Sequence, residues 1–211
     1  MINLVKLPKP KILIDNEKTW TIEYRKAIRT GKKPLPTKYN QKEIKDILIA
    51  ETCGKCAYCE SKVTAVYPGD IEHILPKNKR PDLYVEWSNL TFSCHRCNSA
   101  EGKGSYYNLS NPLINPYIDN VDNHLLWVGP IVLQKTPKGL LTGNKLGLNR
   151  LGLVQSREEK LEEIAEWLKV WNLEGPAKTI AEDHLDKQYH NSKEYSAAVK
   201  KYLKQNKFPV R

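Results

Sequence analysis

The chain has 211 residues, which suit one large or two small domains, and its 40% of hydrophobic residues are enough to form a core. Lysine and arginine number 34 against 24 acidic residues, and the resulting net charge of +10 favours a polyanionic partner. No apolar run approaches the roughly 18 residues of a membrane span and no apolar signal segment opens the sequence, so we expect a cytoplasmic location and no membrane contact.

The first 52 residues are predicted to form an arm followed by helices. Residues 1–16 alternate lysines and prolines with short apolar groups and lack a period, which favours an extended arm. Apolar residues recur at helical spacing from Glu17 to Arg29. Asn40 and Glu43 resemble the capping box of a second helix, which we expect to lead into the first cysteine pair.

Two cysteine pairs indicate a metal site. Cys56 and Cys59 form one C-x-x-C, Cys94 and Cys97 form another, and 34 residues separate the pairs. Four thiolates suit one tetrahedral Zn(II) ion, so the spacing predicts a structural zinc site. The alternatives are two disulfides, buried structural cysteines or a redox-active pair. Cys53 adds a second possible register, because Cys53 and Cys56 are also spaced as C-x-x-C.

Between the pairs lies a carboxylate beside an imidazole. Glu72 and His73 follow a Gly69-Asp70 turn and are flanked by isoleucines, which predicts a short strand. A carboxylate is a hard oxygen ligand, and an imidazole is a base that is neutral near physiological pH. Adjacent strand residues point to opposite faces, so the strand has to end or distort here if both serve one site. A solvated pair on a strand is the commoner case.

Further polar residues surround the second cysteine pair. Asn89 precedes a second short apolar run, and Asn98 follows Cys97 where a helix is expected to begin, with Lys103 one turn further on. Three basic residues follow the Glu72-His73 strand closely enough to hold phosphates beside a scissile bond, or to form a solvated basic loop: Lys77, Lys79 and Arg80.

This combination resembles the HNH endonuclease family. The motifs C-x-x-C, E-H-I-x-P, N-L and C-x-x-C-N run from Cys56 to Lys103, about a quarter of the chain. Members of that family carry a ββα-metal finger, in many cases braced by a four-cysteine zinc site. The resemblance implies an α+β, mainly helical fold, with a central HNH finger at 53–104 between an N-terminal region, 1–52, and a hairpin with C-terminal helices, 105–211.

The resemblance also implies roles for individual residues. His73 is similar to the family's general base, which activates a water molecule. Glu72 and Asn98 are similar to its protein ligands for one catalytic divalent ion, Mg(II) or Mn(II). Asn89 is similar to the residue that fixes the imidazole or the finger. The expected reaction is hydrolysis of a phosphodiester bond to a 5′-phosphate and a 3′-hydroxyl. Lys103 joins the basic loop as an expected nucleic-acid contact.

After the finger, the sequence predicts a hairpin and helices. Residues 125–133 read as two strands around Gly129-Pro130. Ser156 and Glu159 match a capping box, which predicts that a helix begins there and runs to a stop at Pro176. Two more helices are expected, at about 177–189 and 192–205.

The wider layout resembles the HNH nuclease component of Septu-type and retron-associated anti-phage systems, over about residues 45–160. That resemblance implies a prokaryotic nuclease effector with an ABC-type ATPase partner. DNA is the family's usual substrate, and RNA stays open. A stand-alone restriction-type HNH nuclease is one alternative. A catalytically inactive, zinc-braced module that binds nucleic acid or protein is the other.

Overall fold

The computed structural model describes residues 1–65 and 67–211. In this part of the chain the fold is α+β and mainly helical, as expected. Seven helices and four strands occur in the order α1 (Lys11–Arg29), α2 (Lys42–Thr52), β1 (Asp70–His73), β2 (Leu90–Ser93), α3 (His95–Asn98), β3 (Leu125–Val128), β4 (Ile131–Gln134), α4 (Pro137–Lys145), α5 (Leu151–Trp171), α6 (Pro176–Gln188) and α7 (Ser196–Gln205).

The N-terminal arm is shorter than predicted, because α1 begins at Lys11 rather than at Glu17. Pro10 precedes the helix at φ −62°, and its carbonyl accepts hydrogen bonds from the backbone N–H groups of Leu13 and Ile14. A fixed proline φ suits the start of a helix. Leu13 is fully buried, so the lysine-rich first turns are part of the packed helix.

Helix α2 delivers the chain to the first cysteine pair. The prediction of a capping box at Asn40 is wrong, since Gln41 is the N-cap and the Glu43 carboxylate accepts from the backbone N–H of Ile12 at 3.4 Å. Glu43 therefore ties α2 to α1. The helix ends where Cys53 and Gly54 both take positive φ, 53° and 71°. This reversal turns the chain into the first knuckle, the loop that carries Cys56 and Cys59.

Strands β1 and β2 pair antiparallel and lead into α3, which completes a ββα unit. Glu72 lies opposite Thr91, and His73, the last residue of β1, lies opposite Leu90. Asp70 and Glu72 share one face of β1 because side chains alternate along a strand. The prediction that a helix begins at Asn98 is wrong: α3 has only four residues and Asn98 is its last.

The second half opens with the predicted hairpin of β3 and β4, which pair antiparallel. Helix α4, which the sequence did not indicate, packs after it. The prediction of a capping box at Ser156 is also wrong, because α5 begins at Leu151 and the Ser156 hydroxyl donates to the Gly152 carbonyl inside the helix. The helices predicted at 177–189 and 192–205 are present as α6 and α7.

Two hydrophobic clusters hold the chain together. The larger extends from α1 and α2 through the finger and hairpin to Tyr195 and Ala198, and the smaller joins α5, α6 and α7. Arg157 of α5 is fully buried, donates from Nη1 to the carbonyls of Leu148 and Pro130, and lies 4.7 Å above the Trp127 ring.

The segment 193–197 closes over the first knuckle. Lys55 Nζ donates to the Lys193 carbonyl, and Ser196 Oγ donates to the buried Glu60 carboxylate. Within the described ranges, the helices are too short or too polar to cross a membrane.

Candidate active site and zinc centre

The four predicted cysteine ligands come together. The sulfur atoms of Cys56, Cys59, Cys94 and Cys97 all lie within 4.8 Å of one another, and Cys59 Sγ is 3.9 Å from Cys94 Sγ. Thiolates at about 2.3 Å from a tetrahedral zinc ion are about 3.8 Å apart, so the donor set and the spacing fit Zn(II). Cys53 is exposed and lies outside the cluster, which favours the pair Cys56 and Cys59 over the pair Cys53 and Cys56.

The pKa is lowered at two of the four clustered thiols, Cys59 and Cys94, and raised at the other two, Cys56 and Cys97. Hydrogen bonds from neighbouring cysteines hold the pKa of Cys59 well below its usual range and also lower that of Cys94, whereas burial raises the pKa of Cys56. Metal ligation requires the thiolate form. The all-sulfur donor set and the burial of three of the four cysteines are typical of a structural rather than a catalytic zinc site.

His73 is held in one orientation at the end of β1. Its Nε2 lies 2.8 Å from the carbonyl oxygen of Tyr84, and since a carbonyl only accepts, Nε2 carries the proton. The imidazole packs edge-on against Tyr39, with ring centroids 4.7 Å apart. Burial, together with the charges of Lys77 and Lys103, lowers the pKa of His73 to about 3. The ring is therefore neutral, with Nδ1 as its basic atom.

Glu72 is buried against a cation. Its Oε1 lies 2.5 Å from Lys103 Nζ, and the two side chains are only 5% and 3% exposed. Burial raises the pKa of the Glu72 carboxyl, while the Lys103 ammonium opposes that shift. The Tyr58 hydroxyl also approaches Oε1, at 3.5 Å. Tyr58 lies between Cys56 and Cys59, so the zinc knuckle packs directly against this carboxylate.

Two carboxylate side chains lie on one face of β1. Asp70 shares that face with Glu72, and Asn98 of α3 donates from Nδ2 to Asp70 Oδ2 at 3.1 Å. This bond leaves the amide oxygen of Asn98 as the atom available to a cation. Carboxylate and amide oxygens are the donors that Mg(II) and Mn(II) prefer, so the residue types fit a hard divalent ion. In this structure the positive charge beside Glu72 is the ammonium group of Lys103.

Asn89 braces the loop that follows β1. Its Oδ1 accepts from the Leu75 backbone N–H at 2.7 Å, and its Nδ2 donates to the carbonyls of Leu75 and Leu83. Leu83 immediately precedes Tyr84, whose carbonyl holds the imidazole. Asn89 thus supports His73 through the backbone of this loop.

The four basic residues lie in different environments. Lys79 is exposed and Lys77 is half-buried, with its ammonium 4.9 Å above the Tyr39 ring. Arg80 donates to the Asp82 carboxylate at 2.9 Å. Lys103 is buried in the ion pair with Glu72 rather than on the surface.

Sequence reasoning missed the contact between Tyr58 and Glu72. Its only sequence signal is an aromatic residue inside C-A-Y-C, which does not indicate a partner 14 positions away. The sequence indicated Asp70 only as part of the Gly69-Asp70 turn.

Comparison with known proteins locates the same region. The HNH endonuclease family model matches residues 56–104. A Septu protein PtuB from Bacillus thuringiensis is 35% identical over 153 residues, with 72% of this chain and 56% of that protein covered. A Septu protein PtuB from Bacillus mycoides strain KBAB4 is 27% identical over 169 residues, with 65% of this chain and 57% of that protein covered.

The chain spans a little more than half the length of these curated relatives. The match to the family model includes the cysteine cluster and both strands of the finger. The chain therefore contains an HNH endonuclease domain at residues 56–104, and its similarity to Septu PtuB proteins extends beyond that domain.

Proposed function

We propose that the chain is a divalent-metal-dependent endonuclease that hydrolyses phosphodiester bonds, in DNA more than in RNA. The observation that carries this proposal is the His73 ring at the end of the strand that carries Glu72, where the Nε2–H is bonded to the Tyr84 carbonyl and Nδ1 is left as the acceptor. An imidazole whose Nδ1 carries no proton can accept one from a water molecule, as a general base does. The match of residues 56–104 to the HNH family model supports the assignment.

In the proposed reaction, His73 Nδ1 takes the proton of the attacking water while Nε2 stays bonded to the Tyr84 carbonyl. Glu72 and Asn98 supply oxygen ligands for Mg(II) or Mn(II), with Asp70 holding the Asn98 amide. When bound, such an ion polarises a phosphate oxygen and stabilises the leaving 3′ oxygen. Asn89 keeps the loop of residues 75–84 in place, so that the base does not turn away from the phosphate.

We expect Lys77, Lys79 and Arg80 to supply the positive charge that faces the bound nucleic acid. Lys79 is exposed and free to meet a phosphate, whereas Arg80 is half-buried and has to leave the carboxylate of Asp82 first. Lys103 is paired with Glu72 instead, and its ammonium offsets the buried charge of that carboxylate.

The proposal extends to the biological setting. We infer that the chain is the nuclease effector of a two-component anti-phage system of a prokaryote, with an ABC-type ATPase as partner and a cytoplasmic location. The similarity to Septu PtuB proteins over most of the chain supports this setting.

The test is cleavage of duplex DNA and total RNA in Mg(II), run on gels with the wild type, His73→Ala and the matched control His184→Ala. His184 stacks on Trp167 far along the chain, in α6. Cleavage by the wild type and His184→Ala but not by His73→Ala supports the proposal. Equal cleavage by His73→Ala contradicts the mechanism. No cleavage by any protein, with or without the product of the adjacent gene, favours the zinc-braced binding module.

A further inference from the structure

A cavity of about 370 Å³ opens beside the candidate active site. Three residues of the site also line this cavity: Tyr58, Asn89 and Lys103. Lys103 pairs with Glu72 and the Tyr58 hydroxyl approaches the same carboxylate, so one layer of side chains separates the cavity from Glu72. A group bound there would lie next to the reacting phosphate.

The lining of the cavity combines apolar walls with a few polar groups. Leu75, Leu83 and Leu113 belong to its apolar part, and Tyr106 and Tyr107 add aromatic rings. A flat, largely apolar ligand with polar edges suits such walls. Aromatic side chains are the usual partners of unpaired bases.

The charges in and around the cavity favour a phosphate-bearing ligand. Lys138 lines the cavity and is held by Asp119 at 2.7 Å, with both side chains mostly buried. Lys145 adds a cation 5.4 Å from the Tyr106 ring. Lys103, Lys138 and Lys145 place three ammonium groups in or around the cavity, and Asp119 and Glu72 place two carboxylates there. The surroundings therefore keep a net positive charge.

The mouth of the cavity carries apolar side chains that are exposed to an unusual degree. Ile118 is 80% exposed and Leu109 is 63% exposed, and both line the cavity. Large exposed apolar side chains grouped at a cavity mark a binding surface. An unstacked base that enters the cavity would cover them.

We propose that this cavity receives one unstacked nucleobase of the substrate strand, next to the phosphate that is cut. This subsite rests on the proposed function, because the nucleic acid has to lie along the finger for the base to reach the cavity. A base that is paired and stacked within a duplex is covered on both faces and cannot enter a cavity, so the substrate enters it as a single strand or with one base turned out of the helix.

The test measures binding rather than cleavage, and it uses the 211-residue chain with His73→Ala so that the strand stays intact. Single-stranded DNA and RNA oligonucleotides carry 2-aminopurine at successive positions, and a parallel set carries one abasic site. We expect a fluorescence change at one position. An abasic site at that position weakens binding about tenfold, as the loss of one stacked base does.

Two further variants show whether the cavity is responsible. Tyr107→Ala opens the aromatic wall, and Ile118→Asp places a negative charge at the mouth, on an exposed position that does not threaten the fold. Both are expected to abolish the tenfold difference between intact and abasic strands. The matched control is Ile180→Asp on α6. Ile180 is 62% exposed and does not line the cavity, so this variant is expected to keep the tenfold difference.

A flat response at every position, with DNA and with RNA, overturns the subsite. The subsite is also overturned if Tyr107→Ala and Ile118→Asp keep the tenfold difference. Failure of the nuclease proposal is recognised separately, by the absence of wild-type cleavage. A base-sensitive signal in the binding assay would then still place a nucleobase in the cavity.

Discussion

The Nε2 atom of His73 lies 2.8 Å from the carbonyl oxygen of Tyr84, and this contact leaves Nδ1 as the only basic atom of the ring. The donor has to be the imidazole, because the carbonyl carries no proton. The protein therefore presents a fixed, neutral base at the end of β1 before any substrate arrives. Two predictions depend on this arrangement.

Replacing His73 with alanine removes the proposed base. We expect the rate of cleavage to fall about 10²- to 10⁴-fold, the range for loss of a general base, while the helical content is kept. Single-turnover cleavage and circular dichroism measure the two quantities. His184→Ala is expected to cleave at the wild-type rate, and a loss of less than tenfold in His73→Ala would assign the base to another residue.

His73 also makes stability depend on pH. Burial lowers its pKa from an ordinary 6.5 to about 3, so between these values the unfolded chain binds a proton that the folded chain does not. Stability from this source is complete above pH 6.5 and is lost as the pH falls.

Between pH 6.5 and 5, without added divalent metal, the wild type should lose about 2 kcal/mol more free energy of unfolding than His73→Ala. Urea unfolding of both proteins at the two pH values measures this difference. Parallel pH curves for the two proteins would mean that the imidazole titrates normally in the folded state.

The zinc centre is tested by a pair of serine variants. Cys94→Ser removes one of four clustered sulfurs and is expected to lose bound zinc and solubility, since a structural zinc site contributes to folding. Cys53→Ser changes an exposed cysteine outside the cluster and is expected to keep one zinc ion per chain. Elemental analysis of the purified proteins gives the metal content. A zinc ion retained in Cys94→Ser would disprove the assigned ligand set.

Asn89 is predicted to act through the loop it braces. Asn89→Ala leaves the partly buried Leu75 N–H and carbonyl without their partner, which costs about 1–3 kcal/mol of stability. Asn89→Asp still accepts from the Leu75 N–H but no longer donates to the two carbonyls.

We expect both Asn89 variants to cleave more slowly, because the loop positions the Tyr84 carbonyl, and Asn89→Asp to be the more stable one. Thermal unfolding and single-turnover rates separate the two effects. A variant that unfolds earlier but cleaves at the wild-type rate would show that the brace serves stability alone.

Two glycines in helices should respond in opposite directions to alanine. A Cβ at Gly139 of α4 would lie 2.3 Å from the backbone oxygen of His124, so Gly139→Ala is expected to cost about 1–3 kcal/mol. A Cβ at Gly152 of α5 meets nothing within 4 Å, and Gly152→Ala should stabilise by about 0.5–1 kcal/mol. Denaturant midpoints of the two variants and the wild type test this pair. Equal effects would show that α4 does not pack closely on the hairpin.

The same glycines explain why α4 was not predicted. Gly139 and Gly143 weaken the helical pattern of residues 137–145, yet Gly139 is needed because the backbone of His124, just before the hairpin, lies so close that a side chain would clash with it. Close packing between distant segments thus overrode local propensity. The lysine-rich start of α1 was missed for a related reason, since only the burial of Leu13 distinguishes a helical turn there from an extended arm.

The four-cysteine cluster and the ββα unit were predictable because both depend on residue spacing. A C-x-x-C pair has to turn two sulfurs toward one point, and Glu72-His73 lay in a short apolar run bounded by turn residues. The ion pair between Glu72 and Lys103 was not predictable, because it joins residues 31 positions apart through packing. The catalytic roles of Glu72, His73, Asn89 and Asn98 stay predictions that the variants above test.

Through Glu60, the first knuckle is tied to a segment near the C-terminal end of the chain. Glu60 follows the ligand Cys59 directly, is buried, and accepts from Ser196 Oγ at 3.0 Å and from the Ala197 N–H at 3.3 Å. A fragment cut to residues 56–104 would leave this carboxylate without either donor. Anyone who transplants the finger into another scaffold therefore has to carry residues 193–197 with it, and zinc release on mild proteolysis becomes a readout of whether that C-terminal segment is docked.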